Sequence, residues 1–142
     1  MKKIISVSVL LVVLITALVS FTSCFKNSEE SDLWKDAVYL EDTTLGEGSK
    51  TLIFEVEVDE KKIIFTIKTD KDTVGEALIE HNLIEGEDGA YGLYVKKVNG
   101  ITADYDVDQT YWAFYVDGEY AMSGVELTEI NEESVYKFAR AK

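Results

Sequence analysis

The chain has few of the residues on which catalysis and nucleic-acid binding depend. Its 142 residues include one cysteine and one histidine, so an internal disulfide is excluded and a nucleophile paired with a histidine base has almost no candidates. Basic residues are also few, because 14 lysines and arginines stand against 27 aspartates and glutamates. Contacts to nucleic-acid phosphates require lysine and arginine, so we expect no nucleic-acid partner.

Motifs for enzymatic chemistry are also missing. The glycines of residues 45–50 (LGEGSK) lack the strand-to-helix setting that a phosphate-binding loop requires. His81, the single histidine, is expected near the end of a helix, where it caps carbonyl groups or faces solvent. Acidic residues are abundant, but abundance does not place a general acid beside a base. We therefore expect a protein that is not an enzyme and requires no cofactor.

An alternating row of aspartates, Asp104, Asp106 and Asp108, comes closest to a metal site. Such a row begins the calcium-binding loop of an EF-hand. Counted from Asp104, however, the sixth position should be glycine and is Gln109, and the twelfth should be glutamate and is Tyr115. The segment is therefore not an EF-hand. It is interpreted as a solvated acidic loop, and a looser carboxylate site for calcium is the alternative.

The N-terminus has the pattern of a secretory signal peptide. Lys2 and Lys3 precede an apolar run over residues 4–19, and small residues follow. A membrane-spanning helix needs about 20 apolar residues, so this run is short for a span. Residues 1–23 are therefore predicted to be a signal peptide, and an uncleaved anchor helix is the alternative.

The only cysteine, Cys24, directly follows these small residues. The segment resembles the lipobox of bacterial lipoproteins, although Phe21 stands where leucine is usual. The resemblance implies that Cys24 is lipidated and becomes the first residue of the mature chain. Two acyl chains hold a protein stably on a bilayer. We therefore expect a protein anchored in the cell membrane by lipid, on the extracytoplasmic face of a bacterial cell.

Residues 24–49 are predicted to hold the lipidated cysteine, a polar tether and a transition segment, and residues 50–142 to form the domain. Alternating apolar and polar residues predict a hairpin from residues 52–58 and 63–69. Three further strands are predicted at residues 91–98, 110–116 and 135–139. With a helix after the hairpin, this order predicts an α+β fold with a β-grasp-like mixed sheet and one helix packed on one face (ββαββ plus a final strand).

The predicted helix has a clear start. Thr73 and Glu76 have the spacing of a capping box, which satisfies two backbone donors at a helix N-terminus. Gly86 is predicted to end the segment. Its apolar face is predicted from residues at helical spacing, namely Val74, Ala77, Leu78 and Ile84.

Residues 110–120 (TYWAFYVDGEY) concentrate aromatic side chains in one strand and its turn. Since alternate side chains of a strand face opposite sides, Trp112, Phe114 and Val116 are assigned to the core, and Tyr111 and Tyr115 to the other face. Exposed tyrosines followed by a methionine loop indicate a surface for a flat, partly polar ligand or a partner protein. The alternative is cross-strand pairing that only stabilises the sheet.

Two more tyrosines, Tyr91 and Tyr94, belong to the preceding predicted strand. They lie on opposite faces of that strand, so at most one of them is expected to join the aromatic surface. The strand is followed by an Asn99-Gly100 turn signal.

Five segments then resemble a known family in order and spacing: TLIFEVEV, KTDKDTVGEALIEHNLI, YGLYVKKVNGI, YWAFYVDGEYAMSGV and YKF. The family consists of bacterial lipoproteins whose domain is similar to the C-terminal β-domain of transcobalamin and intrinsic factor. The most specific pieces are the aromatic strand and Gly124-Val125. The sequence departs at residues 132–134, where members often carry Gly-Asp. It also lacks the helical barrel with which transcobalamin encloses its corrinoid.

The resemblance implies a surface lipoprotein that binds a corrinoid such as cobalamin. A β-domain alone offers half a site, so tight capture is expected to need a second binding protein, a dimer or a transporter component. The alternative is a cell-envelope module that binds protein or glycan. The residues that match the family's aromatic strand and loop, with a neighbouring turn, are the expected ligand contacts: Tyr111, Trp112, Tyr115, Tyr120, Met122 and Gly124, and more weakly Asn99 and Gly100.

Overall fold

The structure is a computed structural model that describes residues 32–142. The signal peptide, Cys24 and the first part of the tether lie outside the described residues. None of the described helices is long and apolar enough to span a bilayer. The described strands, in chain order, are β1 Thr43–Leu45, β2 Lys50–Val58, β3 Lys61–Thr69, β4 Ile84–Gly89, β5 Gly92–Val98, β6 Ile101–Thr102, β7 Tyr111–Val116, β8 Glu119–Tyr120 and β9 Val135–Ala141.

Six of these strands form a mixed sheet in the order β1-β3-β2-β9-β7-β8. The hairpin of β2 and β3 is confirmed, and its register pairs Phe54 with Phe65. β9 enters the sheet parallel to β2 and antiparallel to β7, so it joins the hairpin to the aromatic strand. β7 turns back into the short β8 at Asp117 and Gly118, both of which have positive φ. This is the backbone that an Asp-Gly hairpin turn requires.

The other three strands form a second, antiparallel sheet in the order β4-β5-β6. The α+β class is confirmed, but the predicted strand over residues 91–98 lies in this second sheet and not beside β7 in the first. A β-bulge between Glu85 and Gly86 bends β4. Asn99 and Gly100 have φ of 50° and 80° and form the turn into β6. This turn is the one that the Asn-Gly pair predicts.

The main helix, α1, covers Val74–Glu80. Its predicted capping box is confirmed, because the Glu76 amide donates to Thr73 Oγ1 at 3.2 Å and the Thr73 amide donates to Glu76 Oε2 at 3.3 Å. The helix is shorter than predicted, and Ile84 and Gly86 belong to β4. Asn82, with φ of 54°, reverses the chain just after the helix. A second, single-turn helix, α2, covers Tyr105–Asp108.

One face of the main sheet carries the core. The assignment of Trp112 and Phe114 to this face is confirmed, since they are 7% and 8% exposed, and Val116 packs against them partly buried. The most deeply buried side chains of the other strands and of the helix include Leu52, Phe54, Val56, Val58, Phe65, Ile67, Val74, Ala77, Leu78 and Tyr136. The alternation of apolar and polar residues along the strands therefore predicted the buried face correctly.

The segment before residue 50 is part of this folded unit. Trp34 lies in a 3-10 turn (Asp32–Asp36), is 2% exposed and donates from Nε1 to the Val58 carbonyl at 3.4 Å. β1 comes from the predicted transition segment and pairs in parallel with β3. The domain therefore begins earlier than the predicted boundary at residue 50, because a buried tryptophan attaches the preceding segment to the core.

Candidate ligand-binding cleft

A cleft of about 360 Å³ opens where the two sheets meet. β5 forms one wall, β7 forms the other, and residues 120–125 close one side. Its lining residues are Tyr91, Leu93, Tyr94, Val95, Tyr111, Trp112, Phe114, Tyr120, Ala121, Met122, Ser123, Gly124, Val125 and Phe138. All of these residues are uncharged, although 29% of the chain is Asp, Glu, Lys or Arg. The cleft is therefore an uncharged, aromatic surface within a strongly acidic protein.

The floor of the cleft is rigid. Phe114 stacks on Phe138 with ring centroids 5.0 Å apart, and on Tyr136 at 6.4 Å. Stacked aromatic pairs in a core have few alternative rotamers, so the floor is shaped before a ligand arrives. The Ala121 amide donates to the Phe114 carbonyl at 2.9 Å and ties the start of the closing segment to β7.

The rim of the cleft, in contrast, is open to solvent. Met122 is 99% exposed and Tyr91 is 96% exposed, while Tyr120 and Tyr94 are exposed to 62% and 44%. Together they form a contiguous apolar border, and such borders on soluble domains mark surfaces that bind ligands or partners. Rigid tyrosines beside an adaptable methionine suit a flat ligand.

The indole nitrogen of Trp112, in the wall of the cleft, is buried and has no hydrogen-bond partner among residues 32–142. An unsatisfied buried N–H group costs about 1–3 kcal/mol of stability. Trp112 thus lines the cleft while its indole nitrogen stays buried in the core.

A second groove, of about 630 Å³, adjoins the cleft. The two share Tyr91, Met122, Ser123 and Gly124, and the groove extends over residues 90–92 and 126–127. Glu126 is the one charged residue among the described residues that line it. Its Oε2 accepts a hydrogen bond from the Leu93 amide at 3.1 Å, which fixes the carboxylate against β5.

The cleft brings together five of the eight residues predicted to contact a ligand. Tyr111, Trp112, Tyr120, Met122 and Gly124 all line it. They come from β7, β8 and the segment that follows β8, so the hairpin at Asp117 and Gly118 places the two halves of the set opposite one another.

The other three predicted residues, Tyr115, Asn99 and Gly100, lie outside the cleft. Tyr115 is on the face of β7 opposite Trp112 and Phe114, where Lys137 Nζ is 5.0 Å from its ring centroid. Tyr111, at the start of the strand, lines the cleft although alternation places it on the same face as Tyr115. Asn99 is fully buried and bonds to the backbone of Tyr39. A Cβ atom on Gly100 would come within 2.5 Å of the Asp36 carbonyl oxygen, so this glycine allows two backbone segments to approach.

Three residues of the cleft and the groove, Tyr91, Tyr94 and Glu126, were not among the eight predicted ligand contacts. Tyr91 and Tyr94 both line the cleft, although alternation allowed only one of them. Tyr91 precedes β5, which begins at Gly92 with φ of 102°, so strand alternation does not apply to it. Glu126 lies in a 3-10 turn (Val125–Leu127) that no periodic pattern reveals.

The aspartate row does not converge on one point. Asp104 caps α2 by accepting from the Asp106 amide at 3.0 Å, and Asp108 accepts from Arg140 at 3.0 Å and from Thr110. The hydrogen bond from the Thr110 hydroxyl is the main cause of the lowered pKa of Asp108. Across the described part of the chain, no group of three His, Cys, Asp or Glu residues could hold a metal ion. The described geometry thus gives these carboxylates capping and ion-pair roles.

His81 lies at the C-terminal cap of α1, as predicted, with its backbone amide bonded to the Ile79 carbonyl. Its Nε2 is buried without a partner in the described segment. A Cβ atom on Gly46 would lie 2.8 Å from that nitrogen, so the imidazole packs against the loop after β1. This position is not part of the cleft or the groove.

Comparison with known proteins supports the fold. Residues 71–138 match a family described as a domain of unknown function, DUF4430. A crystal structure from Ruminococcus gnavus, of a protein to which metal binding is ascribed, is 28% identical with a TM-score of 0.62, and the match covers 66% of this chain and 98% of the other. No curated protein matches.

The structure of haptocorrin in complex with Cbi is also similar. It is 18% identical with a TM-score of 0.50, and the match covers 69% of this chain but 26% of haptocorrin. At this identity the likeness concerns the fold alone. The chain is therefore similar to one part of a much longer ligand-binding protein.

Proposed function

We propose that this chain is a lipid-anchored, extracytoplasmic protein that binds a flat, uncharged or partly polar ligand in the aromatic cleft. The uncharged lining of the cleft, in a chain of formal net charge −13, is the observation that carries this proposal. An acidic chain that concentrates 14 uncharged residues around one concave surface has a region suited to an uncharged ligand. The N-terminal signal pattern and Cys24 support the export and the anchor.

A corrinoid is the ligand to test first. The resemblance to the transcobalamin β-domain supports it, and the cleft supplies aromatic rings for a flat macrocycle. The volume of about 360 Å³ lies at the lower end for a drug-sized ligand, so the cleft accommodates one edge of a macrocycle. A second protein, such as a transporter component, would cover the remainder.

Calorimetric titration of the full chain in maltoside micelles with cobalamin tests the proposal. We expect saturable binding that is weakened about tenfold in Tyr111→Ala, since one buried aromatic contact is lost from the cleft. Tyr105→Ala is the control, because it removes an exposed tyrosine ring that lies outside the cleft. Absence of binding to the wild-type chain, or equal weakening by both substitutions, would overturn the corrinoid site in this cleft.

A second candidate function is a cell-envelope module that binds a protein or a glycan. The near-complete exposure of Tyr91 and Met122 favours it, because a rim this open also suits a broad partner surface. Under this alternative, cobalamin gives no heat, whereas Tyr91→Ala and Met122→Ala reduce retention of the protein on isolated cell envelopes. Tyr105→Ala serves as the control, since Tyr105 is 56% exposed but lies outside the cleft and the groove.

We propose a non-catalytic role and no calcium requirement. His81 packs against the loop at Gly46 and is not part of the cleft lining. Calcium takes six to eight oxygen ligands, and the described residues offer no group of three acidic, histidine or cysteine side chains to supply them. Calcium titration in the same calorimeter tests this point, and saturable heat that is lost in Asp106→Asn would contradict it.

A further inference from the structure

The groove beside the cleft combines apolar walls with a single carboxylate. Tyr91, Met122 and Leu127 are 96%, 99% and 72% exposed, and Glu126 is half-buried between them. The hydrogen bond from the Leu93 amide holds Oε2 in place at 3.1 Å. Gly92 lies directly against the same oxygen, because a Cβ atom there would be 3.3 Å from it. The carboxylate is therefore positioned by the backbone of β5 on two sides.

Glu126 forms no ion pair with any residue that the structure describes. The nearby lysines of β5 are otherwise engaged, because Lys96 pairs with Glu87 at 3.3 Å and Lys97 pairs with Glu85 at 3.4 Å. A fixed, half-buried carboxylate beside exposed apolar groups has an uncompensated negative charge. The net charge of −13 adds a field that concentrates cations at the surface.

We infer that this groove binds an organic ammonium group, which Glu126 pairs electrostatically and Tyr91 contacts through its ring. A metal ion is disfavoured, since one carboxylate supplies too few oxygens and no cluster of three ligands exists in the described chain. Apolar walls disfavour a strongly hydrated inorganic cation. An alkylated ammonium carries its charge with apolar substituents, and aromatic rings bind such cations.

This inference goes beyond the corrinoid site, because it concerns the groove on the far side of Tyr91 and Met122. The two sites share these residues, so a molecule with a flat apolar part and a pendant ammonium group could occupy both. The ammonium site does not depend on that, and it remains testable if cobalamin fails to bind.

Choline and its carbon isostere 3,3-dimethylbutan-1-ol form a matched pair of probes that differ in charge but hardly in shape. Both are titrated into the ¹⁵N-labelled full chain in uncharged maltoside micelles and followed by NMR. The Leu93 amide is the reporter, since it donates directly to Glu126. We expect choline to shift this resonance and to bind about fivefold more tightly than the isostere. A difference of this size is typical of one ion pair with a half-exposed carboxylate.

Glu126→Gln should reduce the preference for choline while keeping an oxygen acceptor for the Leu93 amide, so the fold is retained. Glu119→Gln is the matched control, because it removes the same charge at the nearby β8 without touching the groove. In the wild-type chain, about 1 M NaCl should also reduce the preference by screening. Equal affinity for the two probes, or equal loss in both variants, would overturn the inference.

Discussion

Asn99 and Tyr39 are joined by two hydrogen bonds across 60 residues of sequence. Asn99 Nδ2 donates to the Tyr39 carbonyl and the Tyr39 amide donates to Asn99 Oδ1, both at 2.9 Å. The Val38 amide also donates to the Asn99 carbonyl at 3.0 Å. The buried asparagine therefore pairs with the N-terminal segment as a neighbouring strand would, and holds it against the second sheet.

Replacement of Asn99 by alanine should destabilise the protein by about 2–3 kcal/mol, because two backbone groups of Tyr39 lose their partner. Urea unfolding measures the change. Asn131→Ala is the control, since its Oδ1 accepts one bond from Glu133 at an exposed turn, and it should cost less than about 1 kcal/mol. Unchanged stability together with lost ligand binding would make Asn99 a ligand contact after all.

Trp34→Ala should cost about 3–5 kcal/mol, as truncation of a fully buried tryptophan does. The substitution also removes the hydrogen bond to Val58 and the ring beneath Lys61, whose Nζ is 4.8 Å from the centroid. Thermal unfolding of the full chain provides the measurement. Leu40→Ala, at a residue 55% exposed, should change the stability by less than about 0.5 kcal/mol. If both variants melted alike, the segment before residue 50 would be a tether.

In the aromatic strand, Trp112→Ala should destabilise the domain by about 3–5 kcal/mol, since it leaves a large cavity in the core. Trp112→Phe should cost about 1 kcal/mol or less, because the loss of ring volume is offset by removal of an unpaired buried N–H group. Tyr115→Ala should cost about 1 kcal/mol, through its edge contact with Tyr120 at 5.7 Å. Equilibrium unfolding measures the stability of the three variants. If Tyr115→Ala were the most destabilised of them, the assignment of Trp112 to the core face would be wrong.

Asp117 should make stability depend on pH in acid. Hydrogen bonds from the Val135 amide and the Ser134 hydroxyl, at 2.8 Å each, lower the pKa of Asp117 below its usual value of 3.8. A depressed folded-state pKa means that this stabilisation is complete above about pH 4 and is lost as pH falls further. The difference in thermal midpoint between wild type and Asp117→Asn should therefore shrink below pH 4. A constant difference down to pH 2 would contradict this.

Local sequence patterns predicted the elements better than their arrangement. The capping box at Thr73 and the Asn-Gly and Asp-Gly turns depend on neighbours within a few residues, so they are readable directly. The core face of the aromatic strand follows from a period of two. β4 was missed because its residues, IEGEDG, are mostly exposed and lack alternation.

The site was predicted in part for the same reason. Tyr111, Trp112, Tyr120, Met122 and Gly124 lie within 14 residues around one hairpin, so a local motif contained them. Tyr91 and Glu126 come close to these residues only through the tertiary structure. β5 packs beside β7, and it also packs beside the 3-10 turn that follows β8. Asn99, in contrast, faces Tyr39 and not the cleft, and no feature of an Asn-Gly pair indicates which segment it contacts.

The sequence by itself determined the α+β class, the hairpin, the start of the helix and the buried side of the aromatic strand, because short-range periodicity and backbone preferences decide these features. Only the tertiary structure decided that β5 leaves the main sheet, that Trp34 fills the core, and that an uncharged cleft meets a carboxylate-bearing groove. These features arise from pairings between distant segments, such as β2 with β9, in which the partner is selected by the packing of the whole domain.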